Sequence, residues 1–193
     1  MWAKQQTWAL RMDDIVQQAM AKWPNVPDCY GWLGLDTRGN WYMRDDHAQS
    51  LGPFAGGPLA AKGSLLVHDK LIAFINRNYM ADAQGRWFFQ NGPQRVYVEL
   101  AATPWIWRVQ ADYTLQTHTG LPTTCTACVM DEQGWLYLDT ALGFGLVHTQ
   151  DMELAVQAVE ASLWSVQNAQ RNELAQHYGY VCSPALAQQM LQK

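Results

Sequence analysis

Apolar and polar positions recur along this chain of 193 residues with two periods, and the changes of period mark its elements. In residues 2–23, Trp8, Met12, Ile15, Val16, Ala19, Met20 and Trp23 keep the 3.6-residue spacing of one helix face, and Pro24 ends the run. Residues 32–35 and 41–43 then read as the strands of a hairpin. Residues 50–63, SLGPFAGGPLAAKG, hold four glycines and two prolines and sustain neither period, so an ordered loop or a lid is expected there. Residues 65–68 give a short strand, and Asp69 stands where an N-cap would open a helix carrying Leu71, Ile72, Phe74 and Ile75.

A second hairpin turns at 82–85, and Asn91-Gly92 signals a tight turn into residues 95–100. In that run Val96, Val98 and Leu100 are assigned to a core face, and Arg95, Tyr97 and Glu99 to the other. Pro104 ends the strand, Trp105–Val109 starts the next, and residues 113–119 offer another. Strand Cys125–Met130 leads through a third hairpin at 131–134 to a strand at 145–148. Thr149 is placed as the cap of a long helix buried through Met152, Ala155, Val156, Val159 and Leu163. Ser183-Pro184 opens a short final helix.

Two echoes organise these elements. The spacing D-x-x-G, with a Trp soon after, occurs at Asp36 and Gly39, at Asp82 and Gly85, and at Asp131 and Gly134. Asp suits the start of such a turn because its carboxylate accepts a backbone N–H two residues on, and Gly suits the end because it tolerates positive φ. The tripeptides Leu66-Val67-His68 and Leu146-Val147-His148 each follow a hairpin and precede a helical pattern. A unit of hairpin, short strand and helix is therefore expected twice, with a third hairpin between. The fold class is α+β: repeated hairpin-plus-helix units, antiparallel sheets packed against helices, and an N-terminal amphipathic helix. The halves are set at residues 1–111 and 112–193, meeting near Gln110-Ala111-Asp112 and packed into one continuous body.

Composition narrows the functional classes. With 49% hydrophobic and 16% charged residues the chain can bury a core and is not disordered. A net charge of −4 without clustered Lys and Arg argues against nucleic acid and anionic membrane as partners. No apolar run approaches the roughly 20 residues of a membrane span, and the start lacks a signal-peptide pattern. Cys29, Cys125, Cys128 and Cys182 are accordingly read as reduced thiols of a cytoplasmic protein.

Each candidate for chemistry has a plainer reading. Cys125 and Cys128 form C-x-x-C inside a strand-like run, where residues three apart face opposite ways, so neither zinc nor a disulfide is expected. Asp45-Asp46-His47 could supply an acid/base pair but reads as a solvated turn. His68 and His148 occupy matching strand-to-helix junctions, where sites gather but where a histidine can also simply fasten strand to helix. Arg95, Tyr97 and Glu99 line one strand face and could hold a polar ligand, as cross-strand pairs on a solvated sheet face also would. Trp105 and Trp107 share a face and, if exposed, would make a stacking platform. The glycine-rich loop fails as a phosphate loop because Gly63 separates Lys62 from Ser64.

A resemblance adds to this. The run Cys29-Tyr30-Gly31-Trp32-Leu33-Gly34-Leu35-Asp36, then Gly39-Asn40-Trp41, Leu71-Ile72-Ala73-Phe74-Ile75 and Thr103-Pro104-Trp105-Ile106, follows the order C-G-D-I-D-M, D-G-x-W, L-V-x-L-F and P-F/W. That order resembles a family of uncharacterised proteobacterial proteins, although Tyr30 and Trp32 interrupt its Cys-Gly-Asp run. The segments QNGPQRVYVELAATPWIWRV and YLDTALGFGLVHTQDM are similar to a second uncharacterised proteobacterial family. Across residues 28–160 the resemblance implies an α+β fold with repeated motifs and a part in signalling, and it carries over no catalytic residue.

The leading expectation is a non-enzymatic module that binds a small ligand or a protein partner, with no cofactor and no metal. Its speculative ligand residues are His68, Asp69, Arg95, Tyr97, Glu99, Trp105 and Trp107. The alternatives are a hydrolase using His68, Asp69 or His47 as acid/base beneath the glycine-rich loop, and a structural homodimer with an apolar exposed patch.

Overall fold

The computed structural model describes residues 12–191. Among them are six helices: α1 (Asp14–Lys22), α2 (Asp46–Ser50), α3 (Asp69–Arg77), α4 (Met152–Glu160), α5 (Arg171–Tyr178) and α6 (Pro184–Leu191). Two mixed sheets accompany them, and the chain separates into two compact units. The fold is α+β, and no helix among the described residues is long and apolar enough to cross a membrane.

The first unit comprises the residues up to Asp36, Asn40–Ala101 and those from Val181 on. Its strands are β1 (Cys29–Leu35), β2 (Trp41–Met43), β3 (Ser64–Leu65), β4 (Tyr79–Ala81), β5 (Trp87–Asn91) and β6 (Gln94–Leu100), in the order β3-β2-β1-β6-β5-β4. Every pair is antiparallel except β1 and β6. Register places Leu33 beside Val98 and Leu35 beside Leu100, so these side chains share one face. α3 packs along it through buried Ile75 and through Phe74, whose ring meets Phe89 edge-on. The opposite face holds Met80, Phe88 and Tyr97, with Tyr30 stacked on Tyr97 at 4.6 Å between centroids.

The second unit, Thr37–Gly39 and Ala102–Tyr180, contains β7 (Trp105–Val109), β8 (Leu115–Thr117), β9 (Pro122–Thr123), β10 (Cys125–Met130), β11 (Leu136–Thr140), β12 (Gly143–Val147) and β13 (Val166–Asn168). Their order is β13-β10-β11-β12-β7-β8-β9, with β10–β13 and β12–β7 parallel. The division between units falls after Ala101, not near 110–112, because β7 and β8 pair within the second sheet. Nor does the second unit run to the C-terminus. The tail rejoins the first unit, where Leu100 N–H donates to Cys182 O and Val181 N–H to Gly85 O.

All three D-x-x-G turns form as read. Gly39, Gly85 and Gly134 have φ of 81°, 76° and 80°. Asp36 Oδ1 accepts Asn40 N–H, Asp82 Oδ1 accepts those of Gln84 and Arg86, and Asp131 Oδ1 accepts those of Gln133 and Trp135, at 2.8–3.1 Å.

Other expectations are corrected. The helix expected over 2–23 starts, within the described residues, only at Asp14; the rest of that stretch lies outside them. Asp13 takes the N-cap position of α1, its carboxylate paired with Arg77 and its N–H donating to Asn78 Oδ1. Ile15 and Trp23 stay exposed while Val16 is buried. α3 is capped by His68, not Asp69; at the second junction His148 caps a single 3-10 turn, Thr149–Asp151, and the N-cap position of α4 itself is Asp151, not Thr149. α4 stops at Glu160 and buries Ala155 and Ala158, leaving Val156 and Leu163 exposed. Helix α2 stands where Asp45-Asp46-His47 reads as a solvated turn, and α5, β9 and β13 had no expectation attached to them.

Candidate ligand cleft

The structure disperses the residues singled out by the sequence. His68 is exposed, and its Nδ1 accepts Leu71 N–H at 3.3 Å as the cap of α3, with exposed Asp69 in the first turn. Its counterpart His148 is buried, and its Nδ1 accepts Gln150 N–H at 3.1 Å. Each imidazole therefore caps the helical turn that follows it. Asp45 likewise caps α2 through Ala48 N–H, with His47 exposed on that helix.

The face of Arg95, Tyr97 and Glu99 is not solvated. Tyr97 is fully buried and its hydroxyl donates to Asp82 Oδ2, which also pairs with Arg86. Burial raises the Tyr97 phenol to about 12. Glu99 is buried and accepts Ser183 Oγ–H and Ala185 N–H, so it caps α6 from 86 residues away. Burial raises its pKa, and these donors act against the rise. Arg95 lies over the Phe88 ring. Trp105 and Trp107 form no platform: both are buried, with indole N–H groups donating to Leu142 O and Leu138 O. A side chain at Gly145 would strike Trp107 Nε1 at 2.5 Å, so glycine on β12 makes room for the indole.

The glycine-rich segment is no lid over His68. Buried Arg44 at the end of β2 donates to Ala61 O at 2.7 Å, Gly52 O at 2.7 Å and Gly31 O at 3.3 Å. One guanidinium thereby satisfies three backbone carbonyls and holds the loop down. Phe54 of the loop is buried against Gly34, where a Cβ would meet its ring at 2.5 Å.

On the α3 side of the same sheet lies a cleft of about 270 Å³. β1 contributes Cys29, Trp32 and Leu33, β2 Met43, α3 Leu71 and Ile75, β5 Phe89 and Asn91, and β6 Val96. A bulge in β1 forms it. Cys29 pairs with Val96 and Leu33 with Val98, so four steps along β1 answer two along β6. Gly31 takes up the excess with φ 81°, which brings Trp32 to the same cleft as its neighbour Leu33. Trp32 and Met43 remain 41% and 46% exposed and form the mouth, whereas Ile75 is buried. Burial raises the Cys29 thiol, which stays protonated there. With no carboxylate or imidazole among its lining residues, the cleft is suited to holding an apolar group, with the Asn91 amide as its polar contact. None of the seven residues singled out from the sequence lines it; the glycine inside the strand pattern CYGWLGL was the available signal, since such a glycine marks a bulge.

Elsewhere the Cys125 and Cys128 thiols are free, raised by burial to about 11 and about 12. Among the described residues no three His, Cys, Asp or Glu side chains come together as a metal site would require.

Residues 12–185 match the profile of a family described as "Protein of unknown function (DUF2946)". No functionally curated protein matches the chain. Two solved structures of DUF1285 family proteins are similar in part. The one from Silicibacter pomeroyi DSS-3 is 11% identical with a TM-score of 0.45, covering 69% of this chain and 72% of its own. The one from Shewanella baltica OS155 is 13% identical with a TM-score of 0.43, covering 65% and 91%.

Proposed function

The chain belongs to this DUF2946 family of proteins of unknown function, and we propose that it is a non-enzymatic module that binds an apolar ligand in the cleft beside α3. The cleft's lining carries the reading: aliphatic, aromatic and sulfur side chains surround one amide, and two of them, Trp32 and Met43, stand open to solvent. Exposed apolar side chains around a concave mouth are the usual mark of a binding surface. The expected compartment is cytoplasmic, which suits four cysteines that form no disulfide. A part in signalling, and common descent of the two histidine-capped units, belong to the same proposal. A hydrolase has no comparable support, since His47, His68 and Asp69 are all exposed and none lines the cleft.

Titration with 1-anilinonaphthalene-8-sulfonate tests the reading. Saturable binding is expected, weakened at least tenfold by Met43→Glu and by Leu71→Glu, with melting temperatures near that of the parent. Probe binding that neither substitution alters would overturn it.

A further inference from the structure

The cleft beside α3 runs across four neighbouring strands, in the order β2-β1-β6-β5. Register sets Met43 beside Leu33 and Val96 beside Phe89, so the lining side chains of these strands share the face under α3. Between Met43 on β2 and Asn91 on β5 lie three inter-strand spacings, about 14 Å in all. Spread over that length, 270 Å³ leaves a mean cross-section of about 20 Å². That width admits one hydrocarbon chain or the edge of a flat ring, and not a compact cage.

Polarity changes along this path. Exposed Trp32 and Met43 form one end, and Leu33, Val96 and Phe89 keep the middle apolar. At the other end stands Asn91, the exposed last residue of β5. Among the described residues no hydrogen bond engages its side-chain amide. None of the lining residues is charged, so an ionised head group would find no counter-charge there.

We propose that the cleft takes a single-chain amphiphile with an unbranched alkyl body and an uncharged head of the primary-amide type, seated with its head at Asn91 and its tail toward Met43. This rests on the reading of the cleft as a binding site, and adds the shape, charge and orientation of what fills it. A side-chain amide offers two N–H donors and a carbonyl acceptor, so a second amide meets it with two reciprocal bonds. A carboxylate can only accept, which sets its oxygen against Asn91 Oδ1. The tail, crossing β6 and β1, covers apolar surface that Trp32 and Met43 otherwise leave in water.

Displacement of 1-anilinonaphthalene-8-sulfonate at neutral pH is the test, with three competitors. Octanamide carries the proposed chain and head, octanoate keeps the chain with an ionised head, and adamantane-1-carboxamide keeps the head on a compact cage. Octanamide is expected to bind about tenfold tighter than octanoate, the worth of one net hydrogen bond, and the cage amide is expected to compete no better than octanoate. Asn91→Leu should lose most of the preference for octanamide over octanoate, whereas Met43→Glu should weaken both. If Asn91→Leu proves unfolded, the ranking of the three competitors on the unmutated chain decides. Octanamide that fails to compete, equal binding of octanamide and octanoate, a preference unchanged in Asn91→Leu, or a cage amide as good as octanamide would each overturn the proposal. The cleft reading survives any of these so long as Met43→Glu and Leu71→Glu still weaken the probe. A probe and competitors indifferent to both substitutions would overturn the two together.

Discussion

Single residues were most legible where one short stretch contains the whole physical cause. Gly134 ends its turn at φ 80° with nothing within 4 Å of where a Cβ would stand. Gly134→Ala therefore meets no clash, and its cost is that of the left-handed backbone alone, about 1 kcal/mol. Urea unfolding should show a lower midpoint at unchanged slope, and an unaltered midpoint would refute the conformational account. Exposure was harder to read than conformation. The alternation of Val96, Tyr97, Val98 and Glu99 was correct, yet nothing local says that both faces of β6 are covered. Tyr97 is covered by Tyr30 and Glu99 is engaged by Ser183, one far before and one far after it in the chain. Trp105 and Trp107 show the same limit, since their indoles sit where β11 and β12 leave glycine-sized room and carbonyl partners.

At the scale of elements, the hairpins followed from turn chemistry, whereas helix starts depended on which side chain reached the first free N–H. Capping preferences rank Asp above His, and yet the imidazole of His68 takes the position at α3 and that of His148 at the 3-10 turn in front of α4. The two are not energetically equal. His68 is exposed, so water can replace its Nδ1, and His68→Ala should lower stability by roughly 0.5–1 kcal/mol. His148 is buried, so His148→Ala leaves polar groups without water and should cost about 1–3 kcal/mol. Thermal melts of both variants should reproduce that order, and the reverse order would show that burial does not govern the caps. The cleft was illegible for a related reason. It needs a two-residue bulge in β1, a helix laid across the sheet face and the end of β2, and only the first left a mark in the sequence.

For the molecule as a whole, the buried titratable groups set how stability changes with pH. His118 keeps some residue surface, but its Nε2 is shielded from solvent and its Nδ1 accepts Ile106 N–H at 3.3 Å. Burial lowers its pKa from 6.5 to about 3. The folded chain thus holds this ring neutral while the unfolded chain protonates it near 6.5, so unfolding takes up a proton in between. Stability from this group is complete above pH 6.5, falls as pH drops, and stops falling below about 3. One proton corresponds to a slope of at most about 1.4 kcal/mol per pH unit. Asp82 and Asp151 add a second, more acidic window. The donors of Arg86 and Arg108 and nearby backbone N–H groups outweigh burial and hold both carboxyls below 3.8, so their contribution is lost as pH falls below that value. Urea unfolding from pH 7 to pH 4 separates the histidine from Asp82 and Asp151, whose window lies lower, while Glu99, raised by burial, acts alike in the parent and in a His118 variant. Over that range the parent chain should lose more stability than His118→Asn, which keeps an acceptor for Ile106 N–H but cannot titrate. Equal slopes for the two proteins would show that His118 is protonated in the folded state and that its enclosure does not govern the acid response.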